Sequence, residues 1–350
     1  MSERNNFDLV RLLLATTVFL VHSYVLTGAE PLAVLERTLS SDLAIKAFFA
    51  ISGYLVLMSY ENSRSALEYF EKRARRILPG YATVVVVAAL AGALLSDRAL
   101  ADYVSDGALR YLAANLVFAN FVAPTLPGVF TGNPEHAVNG ALWTLKIEVM
   151  FYLSLPLIVI AARRLGALPV VAALYVLSAA YSLVLLAAEQ RSGNPLYGVL
   201  ARQLPGQLTY FLCGALLYKL SPDLKQPRYA IAFAFACGYL FWAGTTDVLL
   251  APPAVAFLAI YLALGLPWLG NFGRFGDFSY GVYIVHFPIL QVLVHYGAFR
   301  RDPWLAFAAA CGLVFAVAAL LWHLVEKPAL KRASHYRRAE APAAPSAQVP

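Results

Sequence analysis

The sequence predicts an all-α, polytopic membrane protein of about ten transmembrane helices with both termini in the cytoplasm. Three observations carry that expectation. Apolar residues make up 60% of the 350 residues and charged ones only 13%, too little charge to cover the surface of a soluble domain of this length. Ten apolar runs reach or approach the ~20 residues that cross a bilayer. Lys and Arg are also unevenly distributed. With both termini inside, the inner segments hold seventeen and the outer segments seven, while Arg11, Lys46 and Lys146 lie within spans. That asymmetry sets orientation and accounts for the net charge of +7, so no nucleic-acid partner is implied.

The spans fall near 7–27, 43–60, 77–96, 141–162, 168–188, 204–220, 229–244, 248–267, 278–297 and 303–325. The first is of full length and lacks a small-residue cleavage site, so it reads as a retained span rather than a signal peptide. A shorter apolar piece at 107–123 contains Asn115 and Asn120 and reads as a re-entrant or interfacial helix. The outer segment 97–140 is the one long loop, with Pro124, Pro127, Gly128, Gly132 and Pro134 marking irregular backbone. There is no internal repeat. One transmembrane domain is expected over 1–330, and 331–350 is a cytoplasmic tail whose Ala/Pro-rich end predicts disorder. Cys213, Cys237 and Cys311 sit in apolar runs without ligand spacing, which predicts core packing, no disulfide framework and no metal.

Ionisable residues inside spans mark functional sites by default. Arg11 and His22 are eleven residues apart on the first span. At ~100° and ~1.5 Å per residue they share one face, about 16 Å apart along the axis. Asp8 is close to the same stripe and can pair with Arg11. His22 lies some three-quarters of the way toward the outer side. An imidazole, which ionises at about pH 6.5, suits removal of a hydroxyl proton; the bland alternative is a histidine hydrogen-bonded within the bundle. Glu148 lies about a third of the way into an inward-running span, at the depth of His22, on a polar stripe with Thr144 and Tyr152. It could orient the imidazole or bind a hydroxyl, or it could be neutralised by a buried cation. Lys146, roughly 200° away on the same helix, is a poor candidate for that cation.

Lys72, Arg73, Arg75 and Arg76 precede the third span. Arg73 and Arg76 share a face if the stretch is helical. They suit bidentate phosphate binding or simply lie on anionic headgroups. Ser52 and Gly53 in the second span permit close helix packing or passage of a thin substrate arm. His286 lies mid-span without a partner at fixed spacing, either as packing or as a second polar site. His295 and His323, near span ends, read as structural.

Six segments in order now carry a resemblance: FDLVR with His22 eleven residues after its Arg, FFAISGYL at 48–55, FEKRARRILPGY at 70–81, LWTLKIEVMFYLSLPL at 142–157, SYGVYIVHFPI at 279–289 and VEKPAL at 325–330. Together they make the chain resemble the acyltransferase-3 membrane proteins, from the first span to the tenth. The resemblance implies an O-acyltransferase of the bacterial cytoplasmic (inner) membrane that moves an acyl group, most commonly acetyl, from acyl-CoA to a hydroxyl of a cell-surface or lipid-linked glycan. It points to His22 as the catalytic histidine and favours an essential role for Arg11 without deciding which; Glu148 joins them as a catalytic candidate by its position. The resemblance places Arg73 and Arg76 on an R-x-x-R motif for the acetyl-CoA phosphates and Glu326-Lys327-Pro328 as a terminal signature, which reads as a cap on the last helix; Ser52 and Gly53 are donor-site candidates by their small size alone. Expected partners are acyl-CoA, the glycan acceptor, membrane lipids and polysaccharide-assembly proteins. No extracytoplasmic hydrolase-like domain follows, which suggests a stand-alone enzyme or one with a separate partner. A small-molecule acceptor such as a macrolide stays open. A transporter or flippase for a lipid-linked sugar would favour broken spans repeated in two halves, and none is evident.

Overall fold

The computed structural model describes residues 5–331 and Ser334; the Ala/Pro-rich tail expected to be disordered lies outside the described residues. Among them there are helices and connecting segments and no strand. We number the ten main helices α1 (Phe7–Val25), α2 (Ser41–Glu61), α3 (Ala66–Leu95), α4 (Trp143–Leu165), α5 (Ala167–Ser192), α6 (Leu204–Leu220), α7 (Pro227–Ala243), α8 (Ala251–Leu264), α9 (Phe278–His295) and α10 (Pro303–Leu321). Each coincides with one of the ten expected positions. Among the described residues seven helices are long and apolar enough to cross a membrane; α6, α7 and α8, at 17, 17 and 14 residues, are shorter. The expected span at 248–267 contracts because Gly265 ends the helix, its N–H and that of Leu266 both donating to Tyr261 O, a turn that closes a helix C-terminus.

The largest departure in boundary is α3, which starts eleven residues before the apolar run expected at 77–96. Polar residues drive this. Ser65 Oγ accepts from Glu68 N, while Glu68 Oε2 accepts from Arg64 N at 2.8 Å, so the exposed donors of the first turn are satisfied from both sides. The Lys72–Glu68 and Arg75–Glu71 ion pairs, at 3.0 and 2.9 Å, then bridge successive turns. The stretch holding Arg73 and Arg76 is therefore helical, and the two do share a face.

Small residues set the interior packing. A Cβ on Gly53 would lie 1.9 Å from Phe211 O, and one on Gly214 would lie 1.8 Å from Ala50 O. Helices α2 and α6 therefore touch backbone to backbone. The loop ahead of α4 is ordered against α9 rather than free. Asn133 Nδ2 donates to Gln291 O and Oε1, Gln291 Nε2 donates to Glu135 O and Ala137 O, and Asn139 Nδ2 donates to Ile284 O. The apolar piece at 107–123 contributes the helix Leu109–Leu116, tied to α3 by Tyr81 Oη donating to Asn115 O at 2.7 Å.

Candidate active site

Helices α1 and α2 run antiparallel, so the start of α1 meets the end of α2 and the start of α3. There a basic mouth of about 1490 Å³ opens among Asp8, Arg11, Ser59, Glu68, Lys72, Arg73, Arg75, Arg76 and Lys331. It continues into a narrower bore of about 810 Å³, sharing Arg11, Leu55, Arg73 and Arg76 with it. The bore's walls are apolar (Ile45, Phe48, Phe49, Ile51, Val56, Ile77), with Ser52, Thr144, Glu148, Tyr152 and Tyr283 as its polar groups.

A four-residue charge network stands where mouth and bore join. Arg11 Nη1 and Arg76 Nη2 each lie 2.7 Å from Asp277 Oδ2, and Arg76 Nη1 lies 2.9 Å from Glu326 Oε2. Asp277 and Glu326 are buried. Asp277 also caps α9, its Oδ1 accepting from Ser279 N and Oγ. Burial opposes ionisation of this carboxyl, but Arg11 and Arg76 outweigh it and hold the group well below the usual carboxylate range. Breaking one member of such a network would strand an uncompensated charge.

The two arginines of the R-x-x-R motif are thus not equivalent. Arg76 is 5% exposed and committed to two carboxylates. Arg73 makes no ion pair among the described residues. Its Nη2 reaches Ser59 Oγ at 3.2 Å, its guanidinium lies over the Tyr152 ring at 5.7 Å, and its buried Nε has no acceptor. Of the pair, Arg73 has donors to spare for an anion.

The remaining expected residues sort as follows. Ser52 lines the bore and donates to Glu148 Oε1 at 2.7 Å. Gly53 does not line it, because the Phe211 carbonyl occupies the space beside its Cα; the expected passage for a substrate arm at Gly53 gives way to helix contact. Arg11 lines both mouth and bore. Glu326 is no interfacial cap, since it points inward to Arg76 with a second oxygen, Oε1, left without a partner. Lys146 turns away from Glu148 and donates to Gln203 Oε1.

His22 has a partner that its own helix did not disclose. Its Nδ1 lies 2.8 Å from Nε2 of His286, a fully buried residue on α9, and the rings stack 5.1 Å apart. Glu148 is instead bonded to Ser52, its Oε1 accepting from Ser52 Oγ at 2.7 Å. The His286 ring also lies 6.0 Å from that of Tyr283, which lines the bore and shares a 2.7 Å hydrogen bond with Thr144 Oγ1. A path of packed side chains therefore leads from the bore to His22. Asp277, His286 and Tyr283 were not singled out together by sequence, since their spacing signals only a cap and an apolar helix.

The Acyltransferase domain family model matches residues 4–323. The chain belongs to this acyltransferase family. An O-acetyl transferase of Shigella phage Sf6 is 29% identical over 95% of this chain and 98% of its own length. Nodulation protein 10 of Rhizobium leguminosarum bv. viciae is 33% identical over 94% of each. No solved structure matches. The acyltransferase is a multi-pass membrane enzyme that requires an acyl donor, and the charged and polar groups gathered along its mouth and bore are the candidate machinery for the transfer.

Proposed function

We propose that this acyltransferase takes acetyl from acetyl-CoA on the cytoplasmic side of a bacterial inner membrane and transfers it to a hydroxyl of a cell-surface or lipid-linked glycan. The observation that carries this reading is the joining of a basic mouth to an apolar bore through Arg11, Leu55, Arg73 and Arg76. Coenzyme A is a polyanionic head on a thin, uncharged arm. Arg73, Lys72 and Lys331 suit its phosphates, and the bore suits the arm and its thioester. The Lys/Arg-rich end is the cytoplasmic end by the charge asymmetry, where the donor pool lies. The name of the phage relative supports acetyl and a hydroxyl acceptor.

The hydrogen bonds around His22 suit it to act as the base. His286 Nδ1 lies 3.2 Å from Val282 O. A carbonyl can only accept, so this nitrogen carries the proton and Nε2 keeps a lone pair. His22 Nδ1 must then be the donor in the 2.8 Å bond, which leaves His22 Nε2 as an acceptor. That nitrogen removes the acceptor hydroxyl's proton while the oxygen bonds to the thioester carbonyl carbon. The tetrahedral intermediate collapses with cleavage of the carbon–sulfur bond, and the proton passes from His22 to the departing sulfur. The products are an acetyl ester and free coenzyme A. With Thr144 Oγ1 donating to Tyr283 Oη, the Tyr283 hydroxyl is the donor available to the carbonyl oxygen.

Mass spectrometry of surface polysaccharide from wild-type and deletion strains tests this reading. Loss of acetyl mass increments in the deletion, restored by the wild-type chain, is expected. An identical polysaccharide in both strains would overturn the glycan acceptor.

A further inference from the structure

A third cavity, of about 950 Å³, opens on the far side of α2, toward the end opposite the basic mouth. Asp42 and Lys46 from the start of α2 line it, whereas Met58 and Ser59 of the same helix line the mouth, about 18 Å away or more along the axis at ~1.5 Å per residue. The other walls come from the second half of α5, the start of α6 and the loop before α8. Since α1 runs away from the mouth, His22 lies toward the same end of the bundle, separated laterally by α2.

Part of the lining is already paired, Lys46 with Asp42 and Thr245 O, but several of its hydrogen-bonding side chains have no protein partner. Gln207 is 7% exposed, yet its amide bonds to nothing among the described residues; the same holds for the side-chain hydroxyls of Thr209 and Tyr210 and for the Glu189 carboxylate. Gly198 leaves room for that carboxylate, because a Cβ there would lie 2.4 Å from Glu189 Oε1. Arg202 forms no ion pair among the described residues and uses only Nε, donating to Gly198 O. These groups face the cavity rather than the protein, where a ligand that hydrogen-bonds to them can reach them.

The charges identify the class. Asp42 and Glu189 balance Lys46 and Arg202, so the cavity has no net charge to attract a phosphate or repel one. Carboxylates, an amide, hydroxyls and a guanidinium offer donors and acceptors side by side, which is what a sugar ring requires, since each hydroxyl both donates and accepts. Ala179, Leu186, Ala201 and Val248 add apolar wall beside these groups, which suits the C–H face of a sugar ring.

We propose that this cavity is a saccharide subsite that holds a neutral sugar unit of the acceptor beyond the one being acetylated. It rests on the glycan-acceptor reading above. The test uses the full chain in nanodiscs with neutral tetrasaccharides built from glucose, galactose, rhamnose or N-acetylglucosamine, followed by saturation-transfer NMR. At least one should bind the wild type, with the signal falling fivefold or more in Glu189→Gln/Gln207→Leu and in Arg202→Gln, while coenzyme A binding stays unchanged. No binding to the wild type, or equal binding to all three proteins, would overturn the subsite. A tetrasaccharide that binds here yet is never acetylated would overturn the acceptor reading and leave the saccharide site standing.

Discussion

His22 Nδ1 and His286 Nε2 lie 2.8 Å apart and join α1 to α9 through two imidazoles. The bond fixes which nitrogen of His22 is free, so the two residues are unequal: in the proposed reaction His22 meets substrate, while His286 holds it in one tautomer. Groups of this positioning kind commonly account for ~10–100-fold in activity.

Replacing His286 separates these roles. His286→Leu should lower kcat by about 10–100-fold with little change in KM for acetyl-CoA. His286→Gln, whose amide oxygen can still accept from His22 Nδ1, should recover a substantial part of the loss. Equal activity of the Gln and Leu variants, with equal protein levels, would count against the tautomer assignment. Steady-state kinetics in detergent or nanodiscs reads this directly.

Arg73 and Arg76 should differ in kind. Arg73→Gln should raise KM for acetyl-CoA about tenfold, consistent with loss of a charge-assisted contact, and leave thermal stability near wild type. Arg76→Gln strands Glu326 in the interior and leaves Asp277 with Arg11 as its remaining ion-pair partner, a cost of about 3–5 kcal/mol, so it should appear as low protein yield and a lowered melting temperature. Glu326→Gln added to Arg76→Gln should restore part of the stability. A stable Arg76→Gln protein with only weakened donor binding would contradict the network as described.

Gly53 offers a test of packing against passage. A Cβ at this position meets Phe211 O at 1.9 Å, a backbone atom that cannot swing aside. Gly53→Ala should therefore lower the melting temperature and disturb the α2–α6 contact. If it instead left stability intact and changed only KM for acetyl-CoA, Gly53 would belong to the donor site after all.

Much of the architecture was legible because spanning helices are written as apolar runs. All ten expected positions hold helices, and the errors lie at boundaries. Helix α3 begins early because a Ser65–Glu68 cap and two ion pairs favour helix where hydropathy is silent. Within the site, Arg11 and Glu148 stand out as charges in apolar runs, Ser52 as part of a small-residue pair, and Arg73 and Arg76 as an R-x-x-R pair in a basic stretch; all five line one bore. Their pairings were not legible. Arg11 and Asp277 are 266 residues apart, and His22 and His286 are 264 apart; no periodicity on one helix encodes which distant helix will face it. Depth matching suggested Glu148 for His22, but depth without direction around the axis does not choose a partner.

The central claim is that His22 carries the proton during acyl transfer from the bore. The most direct measurement is transfer of radiolabelled acetyl from acetyl-CoA to surface polysaccharide in inside-out membrane vesicles, wild type against His22→Ala, with coenzyme A binding measured in parallel. General-base loss typically costs ~100-fold or more, so transfer should fall to about a hundredth or below while coenzyme A binding persists. Transfer retained at more than a few per cent of wild type, at equal protein level, would contradict it.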